Sequence, residues 1–225
     1  MSALAPMTDI QTIYSHRFQE TGLELRRRVW RVLCDEFFNA LVEPDDSVLD
    51  IACGYGEFIN AVRAKQKFGI DLNPDAARFL DSDVHFYRTS ATDLSEISTN
   101  SIDVVFTSNF LEHLSSKHEC GSVFQQVHQV LKVGGRFIIL GPNIRYAYRE
   151  YWDYFDHQLP LSDLSLIEGL RQCGFDIQRV IPRFLPYSMK YSLPTHDMLV
   201  RLYLKIPLMW RLFGKQFLIV AGRSR

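Results

Sequence analysis

Short apolar runs alternate with amphipathic stretches along most of this chain. Runs at 48–51, 67–71, 84–88, 101–108, 136–142, 175–181 and 216–222 are rich in Val, Ile, Leu and Phe and are bounded by turn-forming residues. Each predicts a buried strand. Leu25, Val29, Val32, Leu33, Phe37 and Leu41 fall at helical spacing, so a long amphipathic helix over 23–41 precedes the first strand and ends at Pro44-Asp45-Asp46. Arg26-Arg27-Arg28 reads as a solvated stripe on that helix. A helical pattern opens at Glu57, with Phe58, Ile59 and Val62 apolar, and another at Pro74, capped by Asn73. Val123, Val127, Val130 and Leu131 mark a helix that stops at Lys132-Val133-Gly134-Gly135. Ser162 or Asp163 starts one that runs through Leu170, and Met198, Leu199, Leu202, Tyr203 and Ile206 mark the last. Alternation of this kind predicts an open α/β sheet.

Two stretches break the alternation. Residues 143–160 hold Tyr146, Tyr148, Tyr151, Trp152, Tyr154 and Phe155, interleaved with Asp153, Asp156, His157 and Pro160. Residues 182–214 carry Pro182, Pro186, Pro194 and Pro207. A long aromatic connection at the carboxyl edge of a sheet is where an α/β protein binds ligand.

At 225 residues the chain suits one α/β domain over 1–225. Within it, 1–44 form an N-terminal helical cap, 45–142 a cofactor-binding core, and 143–160 and 182–214 substrate-side insertions. A net charge of −1 gives no global attraction to nucleic acid, and none is expected as a partner. Charge is unevenly spread: 183–225 holds eight Lys or Arg against Asp197 alone. Peripheral contact of 183–225 with an anionic membrane surface, or with an anionic acceptor, is one reading; a solvated basic edge is the other. Cys34, Cys53, Cys120 and Cys173 are scattered, so they indicate neither a zinc site nor a disulfide framework, and no metal is expected. No secretory leader or spanning run is recognisable, which makes the cytoplasm the expected compartment.

The candidate chemistry centres on residues 48–59, an apolar strand that breaks at Cys53-Gly54-Tyr55-Gly56 and resumes as a helical pattern. Strand, glycine turn and helix make a nucleotide-binding arrangement. The dinucleotide fingerprint wants a third glycine where Ile59 stands, and Asp50 at the strand's end would repel a pyrophosphate. A carboxylate there suits a ligand with a positive centre, such as S-adenosylmethionine. Asp50-x-x-x-Gly54-x-Gly56 resembles the first motif of the class I S-adenosylmethionine-dependent methyltransferases, small-molecule type, with Ala52 where a glycine is usual.

Later motifs agree in order. Asp71 ends the second strand, where an acid takes the ribose hydroxyls. Asp93 follows the third, where the family's acid takes the adenine amino group and the next backbone amide meets the ring. Asn109-Phe110-Leu111-Glu112-His113 follows the fourth, and Leu131-Lys132-x-Gly134-Gly135-Arg136 precedes the fifth. The resemblance implies a doubly wound, Rossmann-like seven-stranded sheet, mostly parallel with an antiparallel last strand. It implies S-adenosyl-L-methionine as cofactor, held by Asp50, Ala52, Gly54, Gly56, Asp71, Leu72, Thr92, Asp93, Leu94, Ser108 and Asn109. In similar methyltransferases a segment like Tyr14-Ser15-His16-Arg17-Phe18 folds over the cofactor.

The implied activity is O- or N-methyl transfer to a small-molecule acceptor. A hydroxyl acceptor needs a base, because its pKa lies far above 7. His113 and His157 are the catalytic candidates, with Asp156 as an orienter. The stretch from Met209 to Phe217 resembles methyltransferases that accompany sugar and cell-surface polysaccharide synthesis, which points to a sugar or glycan hydroxyl. Two other classes stay open: a methyltransferase-like binding subunit without turnover, and a nicotinamide-dependent oxidoreductase, against which Ile59 and Asp50 argue.

Overall fold

The computed structural model describes residues 20–187 and 196–224. The expectation for 14–18 falls outside them. Strands β1 (Ser47–Ile51), β2 (Gln66–Ile70), β3 (Val84–Tyr87), β4 (Ile102–Ser108), β5 (Leu131–Pro142), β6 (Phe175–Ile181) and β7 (Gln216–Arg223) form one sheet in the order β3-β2-β1-β4-β5-β7-β6. Neighbours from β3 to β5 pair parallel, while β7 lies antiparallel between β5 and β6. The chain steps outward from β1 through β2 to β3, then returns to β4 on the other side of β1. That reversal opens a crevice at the carboxyl ends of β1 and β4, the usual ligand position in such sheets.

Side-chain alternation along the strands splits the core in two. Leu49, Ile51, Val105, Phe137 and Ile139 face one layer, packed under α2 (Lys117–Val130) and α4 (Asp163–Gln172). Val48, Val104, Phe106, Ile138 and Leu140 face the other, under α1 (Glu20–Glu36), the 3-10 turn Phe38–Ala40 and α5 (Asp197–Lys205). Trp30, Phe38, Phe58 and Phe106 knit this second layer, with Phe58 stacked on Phe106 at 3.6 Å between centroids and 16° between planes. The short α3 (Ile144–Ala147) follows β5, and α6 (Pro207–Phe213) follows α5.

Several expectations need correction. The expected helix from Glu57 is a single turn, closed by Asn60 and Val62 amides donating to Gly56 and Phe58 carbonyls. The Pro74 helix is a 3-10 helix, Pro74–Arg78, though Asn73 does cap it, accepting from the Asp75 amide at 3.0 Å. The Lys132-Val133-Gly134-Gly135 stretch is not a stop outside the sheet. It belongs to β5, where Leu131 pairs with Ile102 across a bulge. The arginine triplet is not a free stripe either. Arg26 pairs with Glu57 at 2.9 Å, Arg27 donates to the Phe79 carbonyl, and Arg28 pairs with Asp197 at 2.8 Å. These contacts tie α1 to the glycine loop and to α5.

All four cysteines are free thiols; Cys34, Cys53 and Cys120 are buried and Cys173 is half-buried. Burial, helped by Cys173 and Glu119, pushes the Cys120 thiol up to about 12, and burial followed by neighbouring acids raises Cys34 and Cys53 as well. No helix among the described residues is long and apolar enough to cross a membrane.

Candidate active site

The loop after β1 turns sharply. Ala52, Gly54 and Gly56 take φ of +56°, +54° and +76°. A Cβ on Gly56 would sit 2.5 Å from Leu80 Cδ2, so the position needs glycine twice over. Ala52 accepts the same left-handed backbone at a cost of about 1–2 kcal/mol, strain of the kind that collects at ligand loops.

Asp71 braces this loop. Its Oδ2 accepts from the Gly54 amide and its Oδ1 from the Asn73 amide, both at 2.8 Å. Each carboxylate oxygen keeps a further lone pair for a ribose hydroxyl. Leu72, beside it, is 51% exposed, an apolar surface at the cleft that suits a flat ring.

Asp50 lies near the end of β1. It shares the face of Val48, is buried, and accepts from the Ile59 amide, so it braces the turn after the loop. Burial raises its pKa well above the usual range, and the nearby charges of Glu57 and Asp71 add to this. Asp71 is likewise raised by burial, against the lowering effect of its amide donors. Asp71 lies under a loop whose own side chains, Cys53 and Tyr55, bring no cation, and the one nearby guanidinium, Arg26, is taken up by Glu57, so the local field opposes phosphate. The same field favours a sulfonium and an ammonium. The residues therefore fit S-adenosylmethionine in chemistry as well as position.

The Leu94 amide donates to Gln126 Oε1 at 2.9 Å, which ties this loop to α2. Asp93 is exposed and accepts from Ser95, whose side chain first and amide second hold its carboxyl low. Thr92 bonds Ser90 through its hydroxyl. Ser108 ends β4, and Asn109 turns the chain at φ +50°, its amide donating to the Leu140 carbonyl. Asn109, Leu72 and the glycine loop thus all follow carboxyl ends of parallel strands.

The acceptor side is built from β4's exit and the connection after β5. The 3-10 turn Leu111–His113 is stitched to the insertion by Gln158 and Leu159 amides donating to the Glu112 carbonyl. His113 Nδ1 lies 3.2 Å from both the main-chain O and Oδ2 of Asp156. Both partners are acceptors, so Nδ1 carries a proton and the neutral ring holds its lone pair on Nε2. Desolvation lowers the His113 pKa, but the Asp156 hydrogen bond and the charges of Glu112 and Asp156 outweigh it, and the net direction is upward.

His157 is buried in an aromatic wall. It stacks on Tyr154 at 4.9 Å and 18°, and Tyr151 and His113 stand 4.6 and 4.9 Å away. The Tyr187 hydroxyl sits 3.3 and 3.4 Å from its two ring nitrogens. The fully buried Tyr151 donates to the Leu159 carbonyl at 2.6 Å. Glu112, His113 and His157 bring potential ligand atoms within 4.8 Å of one another.

Both histidines and Asp156 therefore meet as the sequence suggested. Glu112 and Tyr187 were missed. Glu112 is legible only as an acid beside His113, and Tyr187 lies thirty residues beyond His157 with no local motif. A surface depression lined by His128, Arg171, Asp176 and Arg223 lies at the opposite edge, where β5 and β6 begin, and takes no part in this site.

A doubly wound sheet with its last strand reversed, an acid-rich glycine loop and a histidine facing an aromatic insertion define a class that binds a cationic nucleoside and acts beside it. Comparison with known proteins agrees. Residues 49–139 match the family model described as a methyltransferase domain. A demethylmenaquinone methyltransferase from Symbiobacterium thermophilum is 27% identical over 150 residues, which cover 57% of this chain and 57% of that protein. The present chain thus matches little more than half the length of that curated relative. Among solved structures, an S-adenosylmethionine-dependent methyltransferase from Archaeoglobus fulgidus superposes with a TM-score of 0.67 at 19% identity, covering 96% of this chain and all of that one (100%). A methyltransferase solved in complex with the Haloferax volcanii Trm112 activator gives 0.69 at 18% identity, covering 98% and 100%. The chain has the fold of the class I S-adenosylmethionine-dependent methyltransferases, and its residues 49–139 match a methyltransferase-domain model.

Proposed function

We propose that this chain transfers the methyl group of S-adenosylmethionine to a hydroxyl of a small or medium organic acceptor, with His113 as base. The supporting observation is the His113–Asp156 contact, which commits Nδ1 and leaves Nε2 as the proton acceptor. The cofactor, when bound, supplies a methyl already activated by its sulfonium. The chain supplies position and a dry site. Tyr151, Tyr154 and His157 wall the acceptor side, and Asp156 stabilises the imidazolium that forms.

A sugar or glycan hydroxyl is one version of the acceptor. The curated relative is named for methylating demethylmenaquinone, so an acceptor built on a quinone or quinol ring is another. Incubating the protein with S-adenosylmethionine and a panel of both kinds, while following S-adenosylhomocysteine release and acceptor mass, tests the reading. Cofactor binding without turnover on any of them would favour a binding subunit. Preferential binding of a nicotinamide cofactor would favour an oxidoreductase.

A specific observation also favours a second reading of the chemistry. Glu112, His113 and His157 form a donor set suited to a divalent cation, which would polarise the acceptor oxygen in place of a base. Turnover abolished by a chelator and restored by one metal would support it.

The cofactor half has its own test. Asp71→Ala should weaken S-adenosylmethionine binding by about 1–3 kcal/mol, since both the ribose contacts and the brace on Gly54 are lost. Calorimetry on the folded variant measures this, and unchanged affinity would remove Asp71 from the site.

A further inference from the structure

The helices α5 and α6 turn an apolar surface outward. Met198, Leu202, Ile206, Leu208, Leu212 and Phe213 are all exposed, Met198 by 67%, Leu208 by 61% and Leu212 by 58%. On α5 the buried side is Tyr203 and Leu204, while Met198 and Leu202, four apart, face the other way. On α6 no residue is buried; Met209 and Trp210 lean on the core, and Leu208, Arg211 and Leu212 lie together on the opposite side. A soluble surface seldom carries so many large apolar side chains in one place.

Cations outnumber acids around them. Arg201, Lys205 and Arg211 are interleaved with these residues and exposed. The segment's only acid, Asp197, is engaged by Arg28, and Glu36 of α1 faces Arg201 and Lys205. Apolar side chains flanked by Lys and Arg suit the boundary between acyl chains and anionic headgroups.

The patch is also joined to the acceptor side. Arg183 donates to the Leu212 and Gly214 carbonyls and stands over the Tyr146 ring at 5.0 Å. Lys215, just after α6, pairs with Glu150 of the aromatic insertion. That insertion itself exposes Trp152 and, by 83%, Phe155.

We propose that the α5–α6 face docks this protein on an anionic phospholipid surface. The docking goes beyond the methyl-transfer reading and does not depend on it. Bound this way, the acceptor side lies next to the bilayer rather than in bulk water, so an amphiphilic acceptor can reach it without leaving the membrane.

The test is sedimentation of the full chain with vesicles of phosphatidylcholine alone and of phosphatidylcholine with phosphatidylglycerol, at low and high salt. The expected result is pelleting with the anionic vesicles, weakened by salt. Leu208→Ser and Leu212→Ser together should lower the partition coefficient by more than about tenfold, each half-exposed leucine contributing roughly fivefold. Both positions are exposed, so circular dichroism and melting should match the parent. Arg211→Glu should weaken binding to anionic vesicles only. No pelleting with either vesicle overturns the proposal. So does concentration-dependent dimerisation abolished by the same two serines, which would assign the face to a second copy. Loss of methyl transfer in any acceptor panel leaves these outcomes unchanged, so the two readings fail separately.

Discussion

Replacing His113 with alanine is expected to lower turnover by about 10²–10⁴-fold while S-adenosylmethionine affinity stays within about threefold. The separation follows from the geometry. His113 belongs to the turn after β4 and is held by Asp156, whereas the glycine loop is braced by Asp71 and Asp50. The pH profile carries a second signature. A base must be neutral, and the His113 pKa is raised, so activity should fall as pH drops through a value above the ordinary histidine range of about 6.5. Asp156→Asn removes the carboxylate charge that helps raise it, and the acid limb should move to lower pH. The stability linkage has the opposite sense. A raised folded pKa stabilises the native state fully below the unfolded value, and that contribution is lost as pH rises through the folded one. The chain is therefore slightly more stable where the base is protonated and idle. Turnover of His113→Ala equal to wild type between about pH 6 and 9 would make His113 structural.

The second large effect lies beneath the cofactor loop. Phe106→Ala should cost about 3–5 kcal/mol in denaturant unfolding, a fall of on the order of 10 °C in Tm. Phe106 is buried on β4, paired in register with Asp50 of β1, and its ring meets Phe58, Phe38 and Trp30 at 3.6, 5.4 and 5.9 Å. Few of these rings can move into the gap, because each is held by a different element: the turn after the glycine loop, the 3-10 turn and α1. Removing the face on which Phe58 stacks should also loosen that turn, so cofactor affinity should fall along with stability. A loss under about 1 kcal/mol would mean that the rings collapse around the change.

The central strands were legible because a fully buried strand must be apolar throughout, and the edge strands β3 and β6, although partly exposed, stand as short apolar-rich runs between turn residues. The crossovers were not. Phe58, Ile59 and Val62 fit one helical turn as well as a long helix, and periodicity cannot tell how far a pattern continues. The bond from the Ile59 amide to Asp50 was not legible, because the direction of that carboxylate follows from strand parity, which no motif shows. The Leu94–Gln126 bond was not legible either, because it spans 32 positions of sequence. His113 and His157 were each visible in a local pattern. Their meeting, with Asp156 turning one ring and Tyr187 touching the other, depends on two loops folding together.

The buried thiols give this protein an internal clock. At neutral pH a thiol raised by burial is almost never thiolate, so an alkylating reagent waits for the structure around it to open. Cys173, half-buried, should react first. Cys53 sits inside the glycine loop and Cys120 under α4's side of the sheet, so their labelling rates time two separate openings. Saturating S-adenosylmethionine should slow Cys53 more than Cys120, because the loop must release its ligand before it can unlatch. Equal slowing of both would mean that the loop opens only with the whole sheet, and that the cofactor is sealed in by global rather than local unfolding.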